Sequence, residues 1–201
     1  LVRNALAGLE RWSWQSDEPE RLGRWPGRRA SAAAGPDLWL AGPDRLWLHA
    51  PDGTQSLELA FGARLLGDAL VAPDGEAIAV RLVEGDGSSS SLRVLARDGS
   101  EILRWHEPGW CVLAPSCAGA GRLVTTRMSR DSTRRQVLLL DLESGARTEL
   151  LSEVSAKGFA PLPPASAAGD MACYLRYVSG WPLLCVLNLT TGRERVVNPG
   201  R

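Results

Sequence analysis

Two neighbouring stretches, Leu70-Val-Ala-Pro-Asp-Gly-Glu-Ala-Ile-Ala-Val-Arg81 and Leu92-Arg-Val-Leu-Ala-Arg-Asp-Gly-Ser-Glu-Ile-Leu103, decide the fold. In each, apolar residues alternate with polar ones on at least one side of an Asp-Gly pair. This pattern is typical of two strands joined by a tight turn, because Asp and Gly tolerate the positive φ that such a turn needs. The two stretches together predict four antiparallel strands in succession.

The hairpin pattern recurs along the chain. Its other copies are Leu9–Leu22, Leu46–Leu59, Val137–Leu151 and Leu184–Val197. The turn glycines of the hairpins Leu46–Leu59, Leu92–Leu103, Val137–Leu151 and Leu184–Val197 are Gly53, Gly99, Gly145 and Gly192, which are 46, 46 and 47 residues apart. A period of this length indicates a repeat architecture.

A second pair of strands precedes each later hairpin, in Gly35–Ala41, in Cys111–Pro115 with Arg122–Arg127, and in Phe159–Pro161 with Met171–Arg176. One repeat is therefore four antiparallel strands in about 46 residues, which is the size of a propeller blade. The predicted fold class is all-β, a β-propeller of about four complete blades plus a half blade. The half blade covers 9–22 and the blades cover about 29–60, 68–104, 110–151 and 157–197.

The Ala72-Pro-Asp-Gly-Glu-Ala-Ile-Ala-Val80 strand pair, followed by Leu92-Arg-Val-Leu-Ala-Arg-Asp-Gly99, resembles the repeats of TolB-like β-propellers. WD-repeat proteins and the propeller domains of prolyl-oligopeptidase-type peptidases are looser relatives in architecture. The resemblance covers nearly the whole chain and is most specific in residues 68–104. It implies a scaffold that binds a protein or peptide in the periplasm or another extracytoplasmic space, the bacterial cytoplasm being the alternative.

The strand count leaves the predicted ring incomplete. Residues 9–22 supply only the outer two strands of a blade, and the chain after Val197 does not supply the missing inner pair. An open ring would expose sheet edges, which soluble proteins avoid. The preferred interpretation is a piece of a longer propeller, covalently attached to one to three further blades; a partial or five-bladed ring is the alternative.

Composition excludes several classes of protein. The 201 residues carry 23 Lys and Arg against 23 Asp and Glu, and a net charge of zero argues against a general nucleic-acid binder. The chain has no apolar run of 18 residues, so no membrane span is predicted. Four cysteines are too few for a disulfide scaffold, although Cys173 and Cys185 lie on neighbouring predicted strands and a bridge between them stays open.

The sequence offers little for catalysis. It contains no Gly-x-Ser-x-Gly elbow, no Walker loop and no His-Glu-x-x-His motif. His49 lies within a predicted strand, whereas His106 lies in a loop between blades and is the better candidate for a contact. His106, Cys111 and Cys117 lack the short Cys-x-x-Cys spacing of a zinc knuckle. We therefore expect no cofactor, no metal and no catalytic residue.

Arginine and tryptophan are the residues most enriched in binding hot spots, and here they gather in the predicted connections at one face of the propeller. The candidate binding residues are Trp25, Arg28, Arg29, Trp105, His106, Trp110, Arg127, Arg130, Arg134 and Arg135. Their chemistry suits an acidic segment of a protein or peptide partner, or an anionic ligand. The alternative is that arginine merely solvates loops and replaces lysine, of which Lys157 is the single example.

Fold alone does not decide function, so three hypotheses follow. The first is a non-catalytic propeller scaffold that binds a protein or peptide. The second is an accessory propeller domain of a larger enzyme, such as a prolyl-oligopeptidase-type peptidase or a kinase, with any catalytic domain outside this chain. The third, a propeller lyase or hydrolase, is disfavoured because two histidines and few inner-strand carboxylates provide poor acid–base machinery.

Overall fold

The structure, a computed structural model, describes residues 2–5, 8–11, 20–23, 29–34, 37–50, 54–85, 87–119, 121–159, 163–178 and 181–197. Every regular element in these ranges is a β-strand. The strands are β1 (Val2–Ala5), β2 (Gly8–Arg11), β3 (Glu20–Gly23), β4 (Arg29–Ala34), β5 (Asp37–Ala41), β6 (Arg45–His49), β7 (Gln55–Ala60), β8 (Leu70–Val71), β9 (Ala77–Glu84), β10 (Ser89–Ala96), β11 (Glu101–Trp105), β12 (Trp110–Val112), β13 (Ser116–Cys117), β14 (Arg122–Ser129), β15 (Arg134–Asp141), β16 (Arg147–Val154), β17 (Ser166–Ala168), β18 (Met171–Val178), β19 (Trp181–Asn188) and β20 (Glu194–Val197).

These strands form successive sheets of three to five strands, each built from consecutive strands of the chain. The sheet orders are β1-β2-β3, β4-β5-β6-β7, β11-β10-β9-β8, β12-β14-β15-β16 with β13 also on β14, and β17-β18-β19-β20. The registered pairs are antiparallel. The first sheet has three strands, one more than the hairpin over 9–22 predicts, because β1 pairs with β2 from Val2↔Arg11 to Ala5↔Gly8.

The Asp98-Gly99 turn has the structure that the sequence predicts. In the turn after β10, the Asp98 carboxylate accepts hydrogen bonds from the Ser100 amide at 2.9 Å and from the Ser100 hydroxyl at 2.7 Å. Gly99 adopts a φ of +90°, and a Cβ there would lie 2.6 Å from Leu59 Cδ2. The turn therefore needs glycine for two reasons, the backbone conformation and the space.

Two short strands share one edge of the fourth sheet. β12 pairs with the end of β14, with Trp110 opposite Ser129, and β13 pairs with its beginning, with Cys117 opposite Leu123. The Leu113 amide still donates to the Thr126 carbonyl at 2.7 Å, and the chain leaves the ladder at Ala114–Pro115, where Pro115 has no amide hydrogen to contribute.

The chain divides into two compact units. One comprises Leu1–Val83 and Arg93–Ile102, the other Glu84–Leu92 and Leu103–Arg201. In the first unit, buried side chains of β5 and β6, among them Trp39 and Leu46, pack with Ile78 and Leu82 of β9. Facing sheets thus bury their apolar sides against one another, as period-two alternation predicts.

In the second unit a core of the same kind joins the last two sheets. Val124 and Val137 of the fourth sheet pack with Ala172, Tyr174 and Cys185 of the fifth. Burial raises the pKa of the Cys185 thiol. None of the four cysteines forms a disulfide bond.

The register of β18 and β19 rules out the Cys173–Cys185 bridge left open by the sequence. Cys173 lies opposite Val186, and Cys185 lies opposite Tyr174. Because successive side chains of a strand point to opposite faces, the two sulfurs lie on different faces of the sheet.

Side-chain hydroxyls join adjacent sheets of the second unit. Ser90 of β10 accepts a hydrogen bond from the Val112 amide at 2.7 Å and donates one to the Val112 carbonyl at 3.4 Å. Ser116 makes the same pair of bonds with Ala167, at 3.0 and 3.1 Å. We call these contacts the hydroxyl bridges. Each bridge satisfies both polar groups of one residue of the neighbouring sheet.

Among the described residues, no helix has the length and apolar character needed to cross a lipid bilayer.

Candidate binding surface of the second unit

An arginine lies between two of the predicted tryptophans. The Arg127 guanidinium carbon is 4.2 Å from the Trp110 ring centroid and 5.2 Å from that of Trp105. Its Nε donates to Gln136 Oε1 at 2.6 Å, and Nη1 donates to the Glu107 carboxylate. The structure thus brings together three residues that the sequence analysis placed on one face.

Two further residues that were not predicted from the sequence, Arg147 and Gln136, contact this cluster. The Arg147 guanidinium carbon is 5.3 Å from the Trp105 centroid, and Gln136 Nε2 donates to Glu149 Oε2 at 2.5 Å. Arg147 follows a turn glycine by two residues, which gives no sign of a stacking role. We call Trp105, Trp110, Arg127 and Arg147 the Arg–Trp stack. Such cation–π contacts fix the position of Trp110 at the start of β12.

The turn between β14 and β15, Ser129–Arg134, is closed by one carboxylate. Asp131 Oδ1 accepts from the Ser129 hydroxyl at 2.6 Å, from the Thr133 amide at 3.0 Å and from the Thr133 hydroxyl at 2.9 Å. The Ser129 hydroxyl, followed by the two Thr133 donors, lowers the pKa of Asp131 to about 2, because all three donors favour the ionised form. Ser132 adopts a φ of +59°, which is unusual for a residue with a side chain.

This turn borders two open depressions of about 400 and 630 Å³. Ser129 and Arg130 line both of them. We call the pair the basic groove. The remaining lining residues are Gly87, Ser88, Cys111, Met128 and Ser132 in the smaller depression, and Gly109, Trp110, Asp131, Thr133 and Arg134 in the larger.

Three cations surround the turn. Arg130 and Arg134 are exposed, and neither guanidinium forms an ion pair with a described residue. The loop after β16, which carries Lys157, lies against the same turn, because the Phe159 amide donates to the Ser132 carbonyl at 2.8 Å. Lys157 is also exposed and makes no ion pair within the described ranges. In the sequence, Lys157 is distinguished only as the single lysine of an arginine-rich chain.

Arg135 points away from this surface and is only 2% exposed. Its Nε and Nη2 donate to Glu153 Oε2 at 3.1 and 2.6 Å, and Nη2 also donates to the Leu175 carbonyl. Glu153 Oε1 accepts from the Tyr177 amide at 2.7 Å. This ion pair joins the fourth and fifth sheets, so the Arg135 side chain is not available to a partner.

His106 is exposed, and its Nε2 lies 3.2 Å from Ser89 Oγ. Within the described ranges, no three His, Cys, Asp or Glu side chains stand close enough together to hold a metal ion. Trp25 and Arg28 lie outside the described residues. Arg29 begins β4, where its backbone lies opposite Ala41 in the ladder.

Solved structures similar to this chain share its sheet arrangement. A structure described as TolB from Agrobacterium tumefaciens matches with a TM-score of 0.60 and 14% identity over 91% of this chain and 66% of that one. A nidogen/laminin complex matches with a TM-score of 0.58 and 14% identity, covering 96% and 72% of the two chains. The chain has a β-propeller fold.

Propellers of larger proteins also match. A structure described as a dipeptidyl aminopeptidase IV from Bacteroides ovatus has a TM-score of 0.67 and 9% identity, covering 95% of this chain and 34% of that one. The chain therefore spans less than two thirds of the TolB and peptidase chains. No protein-family model matches the sequence, and no curated protein does.

Proposed function

We propose that this chain is a non-catalytic β-propeller domain that binds a protein or peptide at the basic groove. The observation that carries the proposal is the pair of exposed guanidiniums, Arg130 and Arg134, beside Trp110. The Arg–Trp stack holds Trp110 in place, so little conformational freedom is lost when a partner orders this surface. Arginine and tryptophan also supply much of the energy at interface hot spots.

The comparisons support a binding role in one respect. The nidogen/laminin structure is, by its description, a complex of two proteins, so a protein of similar fold takes part in protein binding there. The proposal for this chain rests on its own groove.

A second candidate is an accessory propeller domain of a larger enzyme. The observation that favours it is the match to 34% of the peptidase chain. In this case, we expect the gene to encode a catalytic domain in the same polypeptide. Sequencing the complete open reading frame distinguishes the two candidates, since a propeller without such a domain favours the scaffold.

The test of the binding role is selection from a phage library of random 12-residue peptides on the immobilised 201-residue chain. We expect peptides that the wild-type chain enriches and the Arg130→Ala/Arg134→Ala variant does not. The matched control is Arg193→Ala/Arg195→Ala, which removes two exposed charges near the opposite end of the last sheet and should keep the enrichment. Equal enrichment by the groove variant and the wild type would refute the proposal.

A further inference from the structure

We infer that the partner segment carries carboxylates next to a large apolar side chain. This inference rests on the proposed function and names the chemistry of its partner. It is drawn from two features that occupy the same end of the last two sheets, one basic and one apolar.

The basic feature is the trio Arg130, Arg134 and Lys157 around the Asp131 turn. Two backbone hydrogen bonds tie the lysine loop to this turn, from the Ser155 amide to the Thr133 carbonyl and from the Phe159 amide to the Ser132 carbonyl, both 2.8 Å. Asp131 is the one acidic residue of the turn, and three hydrogen bonds already occupy its Oδ1. Three positive charges thus face one negative charge, and the surface complements an anionic ligand.

The apolar feature is formed by Val154, Val178 and Trp181, which are 78%, 44% and 74% exposed. Val154 lies directly opposite Arg134 in the ladder of β15 and β16. Val178 lies opposite Trp181 in the ladder of β18 and β19. The exposure of Trp181 is unusual, because tryptophan side chains are highly buried on average.

One hydrogen bond shows that the two features lie at the same end of the last two sheets. Glu153 Oε1 accepts from the Tyr177 amide at 2.7 Å, and these residues immediately precede Val154 and Val178. The ends of β16 and β18 are therefore adjacent, so Val178 and Trp181 lie at the same end of the two sheets as Arg134 and Val154.

This arrangement favours a peptide over a small anion. The cations lie on the fourth sheet and its following loop, whereas Trp181 lies on the fifth. Packed sheets are about 10 Å apart, so a ligand that reaches both must span roughly three or more residues at about 3.3 Å each. Carboxylates would meet the guanidiniums, and an aromatic or aliphatic side chain would cover Trp181.

The peptides selected above provide the probe. We expect them to be rich in Asp and Glu with at least one Trp, Phe or Leu. The most enriched 12-residue peptide is then synthesised with a fluorescein label, together with one version with amides in place of its carboxylates and one with alanine in place of its apolar anchor. Fluorescence anisotropy gives the affinity of each version.

Each altered peptide should bind the wild-type chain about tenfold or more weakly, as is usual for the loss of a hot-spot contact. The Trp181→Ala variant should bind the parent peptide about tenfold more weakly and the alanine version with little further loss. Ile102→Ala removes another exposed apolar side chain, 41% exposed on β11, and should have no effect. Added salt should weaken binding less for Arg130→Ala/Arg134→Ala than for the wild type.

The outcomes separate the two proposals. If selected peptides depend on Arg130 and Arg134 but tolerate loss of their carboxylates, or if Trp181→Ala leaves affinity unchanged, the inference is wrong and the binding function stands. If no peptide is enriched, or if Arg130→Ala/Arg134→Ala enriches the same peptides as the wild type, the proposed function itself is wrong.

Discussion

The replacement of Arg135 by methionine tests the distinction between a buried structural arginine and an exposed binding one. Arg135 is 2% exposed and the Glu153 side chain 12%, so the methionine variant leaves a carboxylate almost out of contact with water and without its cation. It also leaves the Leu175 carbonyl without its guanidinium donor. Methionine keeps much of the packed volume of the side chain, so the loss is chiefly electrostatic.

The expected loss is about 3–5 kcal/mol in the free energy of unfolding, the usual cost of removing one partner of a buried ion pair. Domains are stable by only about 5–15 kcal/mol, so the urea midpoint should fall by a large fraction. The chain has eight tryptophans, whose fluorescence reports unfolding. An unchanged slope of free energy against urea would show that stability, and not denatured-state compactness, has changed.

A double variant isolates the electrostatic cause. Glu153→Gln removes the charge and keeps an oxygen that can accept from the Tyr177 amide. We therefore expect Arg135→Met/Glu153→Gln to be less destabilised than the sum of its single variants by about 2 kcal/mol, since the buried charge has gone. Arg193→Met, at an exposed position, should change stability by less than about 0.5 kcal/mol. A loss below about 1 kcal/mol for Arg135→Met, or additive single variants, would refute the assignment.

Three further predictions concern turns and hydroxyl bridges. Gly99→Ala should lower the free energy of unfolding in urea by about 2–3 kcal/mol, because the alanine would adopt a positive φ and overlap Leu59. Gly145→Ala, with a φ of +69° and open space around it, should lower it by about 1–2 kcal/mol, and equal losses would contradict the contact with Leu59. Ser116→Ala should lower the free energy of unfolding by about 1–2 kcal/mol and speed hydrogen exchange of the Ala167 amide. Unchanged exchange would contradict the Ser116–Ala167 bridge. The folded-state pKa of Asp131, about 2, lies below its ordinary 3.8, so its contribution to stability is present above about pH 4 and is lost as the pH falls through about 2. Asp131→Asn should remove this contribution to the pH dependence of stability. An NMR titration in which the Asp131 carboxyl of the wild-type chain titrates near pH 4 would contradict the prediction.

The periodic features of the fold were predictable from sequence. Turn glycines at a constant spacing, such as Gly99 and Gly145, indicated repeated hairpins, since the turn chemistry is local. The extra strand Val2–Ala5 was missed because a four-residue strand carries too little alternation to be seen by itself.

The site was less predictable, because it depends on strand register. Arg134 and Arg135 are adjacent in sequence, yet one lines the groove and the other pairs with Glu153 inside the protein. The alternation of side chains along a strand predicts that Arg134 and Arg135 point to opposite faces, but it does not predict which of the two faces solvent. The same limit applied to Cys173 and Cys185, whose separation on two faces follows from a ladder register that the sequence does not state.

The hydroxyl bridges have a mechanical consequence. Apolar contact between two sheets is non-directional and resists sliding only weakly, whereas a hydroxyl that both donates to and accepts from one residue has a single correct position. A shift of the fifth sheet by one residue would break both bonds between Ser116 and Ala167 at once. A shear force on the fifth sheet is therefore resisted by these bonds together with the contacts of Arg135 and Glu153 to the Leu175 carbonyl and the Tyr177 amide, so neighbouring sheets are held in register by side chains as well as by the loops that join them.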